Sequence, residues 1–194
     1  AATLTSTVSN AGVTKTYDGT TDAPSGFSPT YTFTGLVSGD TDAALANTGS
    51  AYNDKDVLDA NTITVSGLSI SGITGSNSSA ISDYVLDAGS KDVSATITAK
   101  TVTVSGSKTY DGTTGLTGMV TLATGISGET LTYSGATAND AHVATANKYI
   151  NAITLTNNGA VLASNYALPT LNAANAPVTI NAATLTPTVN NAGV

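Results

Sequence analysis

Apolar and polar residues alternate with a period of two along most of the chain. Tyr31 and Phe33 alternate with threonines, and Val120 and Leu122 show the same spacing in the second half. This period places successive side chains on opposite faces of a strand, so it predicts short strands rather than helices. The other positions expected to point inward are Ile63/Val65, Tyr84/Leu86, Val102/Val104, Ile153/Leu155, Tyr166/Leu168 and Leu185.

Turn-forming residues separate the predicted strands. Clusters of glycine, asparagine, aspartate and serine lie between the alternating segments, where they supply tight turns. The pattern predicts an all-β chain of two tandem antiparallel β-sandwich domains with immunoglobulin-like topology, joined end to end. β-grasp-like repeats are the alternative architecture.

One phrase occurs twice, which indicates an internal repeat. Lys-Thr-Tyr-Asp-Gly-Thr-Thr at residues 15–21 returns at residues 108–114, a spacing of 108 − 15 = 93 residues. Two further matches follow at smaller spacings, residues 61–65 with 151–155 and residues 83–86 with 165–168. The spacing falls from 90 to 82 between these two matches, which predicts a longer loop in the first copy, within residues 66–82.

The repeat also predicts the domain boundaries. The first β repeat is expected at residues 1–99 and the second at residues 100–183. Residues 3–13 resemble residues 184–194, so the segment 184–194 is expected to start the next repeat of a longer array. The junction at residues 93–105 contains no glycine or proline, which predicts a stiff connection and an elongated molecule.

Composition excludes several partners. The 194 residues include six lysines, no arginine and thirteen acidic residues, for a net charge of −7. Without a basic cluster we expect no nucleic-acid partner, and without an apolar run of about 20 residues we expect no membrane insertion. Cysteine is absent, so disulfides do not contribute to stability.

The repeated signature is predicted to be a structural turn formed by Tyr17, Asp18 and Gly19, and again by Tyr110, Asp111 and Gly112. Asp-Gly suits the positive φ of a tight turn, and the tyrosines are expected to fill the domain end. The signature lysines are expected to lie along the surface.

Two ligand classes have candidate residues. Calcium prefers oxygen ligands, and the paired acids Asp40 and Asp42, with Asp54 and Asp56, are its candidate ligands. No other cofactor is expected. Glycans stack on aromatic rings, and the candidate platforms are Tyr52, Tyr133 and Tyr149.

No catalytic motif accompanies the few residues suited to acid–base chemistry. His142 is the single histidine and Glu129 the single glutamate, and the first copy has aspartates near both positions. We therefore expect a protein that is not an enzyme.

The signature, the Gly-Asp/Glu-Thr step, the Asp/Asn-Tyr-x-Leu strand and the segment Ile-Thr-Ala-Lys-Thr-Val-Thr-Val together resemble YDG-type repeat domains of large bacterial surface and secreted proteins. Such repeats typically occur in filamentous-haemagglutinin-like adhesins and biofilm matrix proteins of Gram-negative bacteria. The resemblance implies a secreted or cell-surface stalk that projects a distal binding region, with neighbouring repeats of the same chain as its partners. The alternative is a module that binds exopolysaccharide or host glycan through avidity.

Overall fold

A computed structural model describes residues 1–10 and 12–189, and the chain divides into two compact units, Ala1–Ala99 (unit 1) and Lys100–Val194 (unit 2). The strands of unit 1 are β1 (Ala2–Val8), β2 (Val13–Thr16), β3 (Tyr31–Thr34), β4 (Asp40–Ala46), β5 (Gly49–Tyr52), β6 (Thr62–Ser66), β7 (Ser69–Gly75), β8 (Tyr84–Leu86) and β9 (Ser90–Thr98). Those of unit 2 are β10 (Lys100–Thr101), β11 (Thr103–Thr109), β12 (Val120–Ala123), β13 (Thr132–Ala138), β14 (Ile150–Thr156), β15 (Tyr166–Ala167) and β16 (Val178–Asn181).

The all-β prediction is confirmed. Within the described residues, the helical elements are two single 3₁₀ turns, Ile81–Asp83 and Ala163–Asn165. Neither turn has the length or the apolar character that a membrane-crossing helix needs.

The two units share one pattern of strand pairing. In unit 1 the first strand, β1, pairs antiparallel with β3 and parallel with β8, and β2 pairs parallel with β9. In unit 2, β10 pairs parallel with β15, and β11 pairs antiparallel with β12 and parallel with β16. The strictly antiparallel part of the prediction is therefore wrong, because periodicity identifies the buried face of a strand but not its neighbour. The choice between immunoglobulin-like and β-grasp-like topology stays a prediction.

The alternating residues form the core of each unit. In unit 1, Ile63 and Val65 are fully buried on β6, beside the buried Val93, Ala95 and Ile97 of β9. In unit 2 the buried set is Val102, Val104, Leu116, Ile150, Ile153, Tyr166, Val178 and Ile180, with several alanines. Outward-facing positions on the same strands are mostly threonine and serine, as expected for strands with one wet face.

Residues 66–82 contain a strand where the sequence predicted a longer loop. β7 pairs antiparallel with β4, from Asp40 opposite Gly75 to Ala46 opposite Ser69. Ile70 and Ile73 of β7, with Ala43 of β4, pack against Leu4 of the first strand. The additional residues of unit 1 thus belong to the antiparallel pair of β4 with β7, which covers the core of the unit.

Hydrogen bonds at the loop after β5 show which residues of the β5–β6 hairpin in unit 1 correspond to residues of the β13–β14 hairpin in unit 2. Asn53 N–H donates to Thr62 O at 3.0 Å, and Asn139 N–H donates to Tyr149 O at the same distance. Thr62 therefore corresponds to Tyr149, so the next residue, Ile63, corresponds to Ile150. The sequence match between residues 61–65 and 151–155 is therefore shifted by three residues from the correspondence that these hydrogen bonds show.

The segment after β16 differs from its prediction. Residues 182–189 lie outside the strands, and Leu185, expected to point inward, is 92% exposed. Among the described residues, no strand pairs with this segment, which leaves its apolar side chains in solvent. The remainder of the predicted next repeat, residues 190–194, lies outside the described residues.

Candidate functional site

The signature turn has the same geometry in both units. Asp18 Oδ1 accepts hydrogen bonds from Thr20 N–H at 3.0 Å and Thr20 Oγ1 at 2.9 Å. In unit 2, Asp111 Oδ1 accepts from the equivalent Thr113 atoms, both at 2.9 Å. The glycine between them has φ of 81° in unit 1 and 80° in unit 2, a conformation that a side chain disfavours.

The signature lysines are buried at the centre of this turn. Lys15 Nζ donates to Asp18 Oδ1 at 2.7 Å and to Thr20 O at 2.8 Å. The side chain of Lys15 is only 7% exposed. The expected surface position of this lysine is therefore wrong, because the turn supplies enough oxygens to hold the ammonium inside.

Unit 2 repeats this arrangement with one more ligand. Lys108 Nζ lies 2.6 Å from Asp111 Oδ1 and donates to Thr113 O at 2.8 Å and Gly115 O at 3.0 Å. An ammonium has three donors, so these three oxygens can satisfy all of them. We call the two arrangements the lysine cages: Lys15, Asp18 and Thr20 in unit 1, and Lys108, Asp111, Thr113 and Gly115 in unit 2.

Tyr52 lies against the lysine cage of unit 1 and is not an exposed glycan platform. Its ring lies 5.4 Å from Lys15 Nζ, within the range of a cation–π contact. Tyr52 is 4% exposed, and its hydroxyl donates to Thr96 O at 3.0 Å. Burial, and after it the negative charge of Asp18, raises the pKa of Tyr52. The glycan prediction for this residue is wrong because strand alternation turns it toward the core.

The two signature tyrosines have different surroundings. Tyr17 is 1% exposed, whereas Tyr110 is 37% exposed. The Tyr110 ring is stacked on His142, with ring centroids 6.3 Å apart. Thus Tyr17 is enclosed, as predicted for a residue that fills a domain end, whereas Tyr110 keeps an accessible face.

Tyr133 and Tyr149, the other glycan candidates, are half-buried. The Tyr133 hydroxyl donates to Leu116 O at 3.1 Å and accepts from Val120 N–H at 3.0 Å, which fixes the ring. That ring lines a groove of about 460 Å³ with Thr117, Leu131 and Ser134. Tyr133 therefore offers a held aromatic surface beside hydroxyl groups.

A carboxylate–tyrosine pair recurs in both units. The Tyr84 hydroxyl donates to Asp40 Oδ2 at 2.6 Å, and the Tyr166 hydroxyl bonds Glu129 Oε2 in unit 2. Hydrogen bonds from Tyr84, and then from Ser79, lower the pKa of Asp40 and keep it ionised. The sequence placed Asp40 with Glu129, and Tyr84 with Tyr166, at corresponding positions, but it did not indicate that each carboxylate bonds its tyrosine.

The four calcium candidates do not lie together in one cluster. Asp54 and Asp56 lie with Asp59, their carboxylate oxygens within 4.8 Å of one another, while Asp40 is bonded to Tyr84. Asp42 Oδ1 accepts from the N–H of the next residue, Ala43, at 2.8 Å. Lys55 Nζ already forms an ion pair with Asp56 at 2.6 Å. We therefore propose no metal at this acidic cluster.

Asp111 makes a testable contribution to acid stability. Hydrogen bonds from Lys108, and then from Thr113, lower its pKa from 3.8 to about 2. Because the folded-state pKa is depressed, this contribution is present above the unfolded pKa and is lost as pH falls through about 2. We expect Asp111→Asn to destabilise unit 2 at neutral pH, and the difference from the unchanged chain to shrink between about pH 4 and 2.

Urea unfolding of both chains at several pH values, with exchange of the β16 amides as the readout for unit 2, measures this difference. The other carboxylates titrate in both chains, so their effects cancel in the comparison. A difference that stays constant down to pH 2 would show that Asp111 does not gain its stabilising role from ionisation.

These features define a class of protein: tandem all-β repeat units, each with a buried lysine at the centre of its signature turn. The sequence pattern that defines the YDG domain matches residues 1–91 and again residues 91–176. The chain belongs to the YDG domain family. No curated protein and no solved structure matches it.

Proposed function

We propose that units 1 and 2 are structural spacer repeats of a large adhesin at the cell surface, or in the biofilm matrix, of a Gram-negative bacterium. In this role they project a distal binding region, and their direct partners are the neighbouring repeats of the same chain. No catalytic step belongs to this proposal.

The path of the chain through each unit carries the proposal. An early strand of each unit lies beside the last strand and runs parallel to it: β2 pairs with β9, with Thr16 opposite Thr98, and β11 pairs with β16, with Thr109 opposite Asn181. The chain therefore enters a unit at one end of this pair and leaves at the other. At about 3.3 Å per residue, the segment from Lys100 to Thr109 spans roughly 30 Å, so the points at which the chain enters and leaves unit 2 lie about this far apart.

Two other observations support a spacer. The polar groups of the signature are used within each unit, because the lysine cages bond their own turn and strand. Between β9 and β10 the chain has a single residue, Ala99, in place of a flexible spacer. Short connections without glycine restrict the relative motion of neighbouring domains.

Small-angle X-ray scattering of the two-unit chain tests this proposal. We expect an elongated pair-distance distribution with a maximum dimension about twice that of one unit. The matched control has a flexible Gly/Ser segment inserted between Ala99 and Lys100, which should broaden the distribution. A compact profile that the inserted segment does not alter would contradict the spacer function.

The groove at Tyr133 favours a second candidate function, the binding of exopolysaccharide or host glycan. A sugar ring can stack on a fixed aromatic face, and the hydroxyls of Thr117 and Ser134 lie along the same groove. A single contact of this kind would be weak, but many repeats on one chain would raise the apparent affinity.

Binding of the chain, immobilised at high density, to a panel of exopolysaccharides and host glycans tests the second candidate. Tyr133→Ala removes the ring, whereas Tyr133→Phe keeps the ring and removes only the hydroxyl. We expect saturable binding to survive in the Phe variant and to be lost in the Ala variant, both folded by circular dichroism. Absence of binding by the unchanged chain, or equal loss in both variants, would reject a stacking site at Tyr133.

A further inference from the structure

In each unit the last strand forms a short parallel ladder with an early strand, which is β2 in unit 1 and β11 in unit 2. In unit 1 the register of β2 with β9 runs from Val13 opposite Ala95 to Thr16 opposite Thr98. One more bond continues it, from Tyr17 N–H to Thr98 O at 2.8 Å. In unit 2, Tyr110 N–H donates to Asn181 O at the same distance.

We infer that this ladder, together with the lysine cage, is a mechanical clamp that lets each unit resist stretching along the chain. The inference rests on the proposed spacer function, since a stalk between a surface and a distant binding region is under tension whenever that region is held. The clamp of unit 1 consists of β2, β9 and the cage of Lys15, and that of unit 2 consists of β11, β16 and the cage of Lys108.

The direction of the force follows from the parallel pairing. Tension reaches the start of β2 through β1, or the start of β11 through β10, and it leaves at the end of β9 or β16. It therefore pulls the two strands of the ladder past each other along their own axes. All hydrogen bonds of a parallel ladder are then strained together. A force across the strands would break the same bonds one after another. Tension along the chain therefore meets the larger barrier, and that barrier sets the rate of forced unfolding.

The lysine cage adds a second attachment for the sliding strand. Lys15 is on β2, and its ammonium is bound to Thr20 O. The neighbouring Thr21 O accepts a hydrogen bond from Tyr52 N–H at 2.7 Å, at the end of β5. If β2 slides, the ammonium of the buried Lys15 side chain loses these hydrogen bonds, which is costly for a charged group.

Unit 2 has the same second attachment through different atoms. Lys108 is bound to Thr113 O and Gly115 O, and the segment between them is fastened to β13. Ala138 N–H donates to Thr114 O at 2.8 Å, and Leu116 N–H donates to Ala136 O at 2.9 Å. In both units the strand that carries the lysine is thus connected to the last strand by its backbone, and its lysine binds a segment that is fastened to β5 in unit 1 and to β13 in unit 2.

Single-molecule force spectroscopy of the two-unit chain tests the clamp. The chain has no cysteine, so a double variant, Thr14→Cys with Thr96→Cys, provides unique attachment points at two exposed residues. These residues lie opposite each other on β2 and β9, and a pull between them peels the strands apart. We expect the unfolding force through the chain termini to be several times the force between residues 14 and 96. Equal forces in the two directions would overturn the inference.

A charge-matched pair of variants tests the role of the cage. Lys15→Met removes the ammonium of the unit 1 cage, whereas Lys91→Met removes one from β9 outside the parallel ladder. We expect Lys15→Met to raise the forced-unfolding rate of one of the two units by about tenfold or more. Lys91→Met should leave the forced-unfolding rates of both units nearly unchanged. Equal rates in the two variants would exclude the cage from the clamp.

The outcomes separate the clamp from the spacer function. A high force along the chain in a molecule that scatters as a compact pair would keep the clamp and reject the spacer. An elongated molecule that unfolds equally easily in both directions would keep the spacer and reject the clamp.

Discussion

Replacing Lys15 with methionine is expected to destabilise unit 1 by about 1–3 kcal/mol. Methionine has a similar length, so it largely preserves the packing of the aliphatic stem. It leaves Thr20 O and the Asp18 carboxylate without the ammonium that now binds both. Hydrogen exchange of the β9 amides measures the change within unit 1, because local exchange reports the stability of its own cooperative region.

Lys91→Met is the control for this substitution. Lys91 pairs with Asp87 at 2.6 Å, but both side chains are partly exposed, at 20% and 23%. Ion pairs of this kind contribute less than about 1 kcal/mol. Lys108→Met should repeat the large effect in unit 2 and leave the β9 amides unchanged. A similar small loss in all three variants would mean that the cages contribute no more than surface ion pairs.

The buried face of the strands was predictable because it depends only on a local period of two. Ile63 and Val65, and equally Val102 and Val104, are buried as the alternation predicts. The fold class followed from the same pattern and from the turns between the strands. Hydrophobic burial dominates folding free energy, so a pattern that records burial predicts the class of fold well.

The lysine cages were not predicted, because these charged residues were assigned to the surface. Lys108 is at an inward position of β11, where the alternation itself predicts an apolar residue. The spacing Lys-x-x-Asp, repeated in both copies, was the available signal for a buried ion pair. The carbonyl ligands of Lys108, Thr113 O and Gly115 O, come from the backbone and therefore leave no mark in the sequence.

The parallel ladder and the register of the hairpins were also beyond the sequence pattern. Asn61-Thr62-Ile63 resembles Asn151-Ala152-Ile153, yet the hydrogen bonds of Asn53 and Asn139 place Ile150 at the position of Ile63. Both isoleucines of β14 are buried, so burial alone does not distinguish the two alignments. Pairing depends on distant backbone groups, and a periodic pattern says nothing about which strands those groups join.

Gly35→Ala is expected to destabilise unit 1 by about 2–5 kcal/mol. Gly35 follows β3 with φ of +88°, and a Cβ atom there would lie 2.2 Å from Thr3 O of β1. That oxygen belongs to the strand that pairs with both β3 and β8, so it cannot move away without disturbing two ladders. The variant combines an unfavourable backbone conformation with a collision between the new methyl group and the backbone.

Gly26→Ala separates these two causes. Gly26 has φ of +83°, close to that of Gly35, but nothing lies within 4 Å of a Cβ built on it. Its substitution should cost only the backbone strain, about 1–2 kcal/mol. Urea unfolding of both variants, with the β1 amides followed by hydrogen exchange, measures the difference. If both variants lose the same stability, the positive φ alone accounts for the loss, and the close approach of the β3 turn to the first strand contributes nothing.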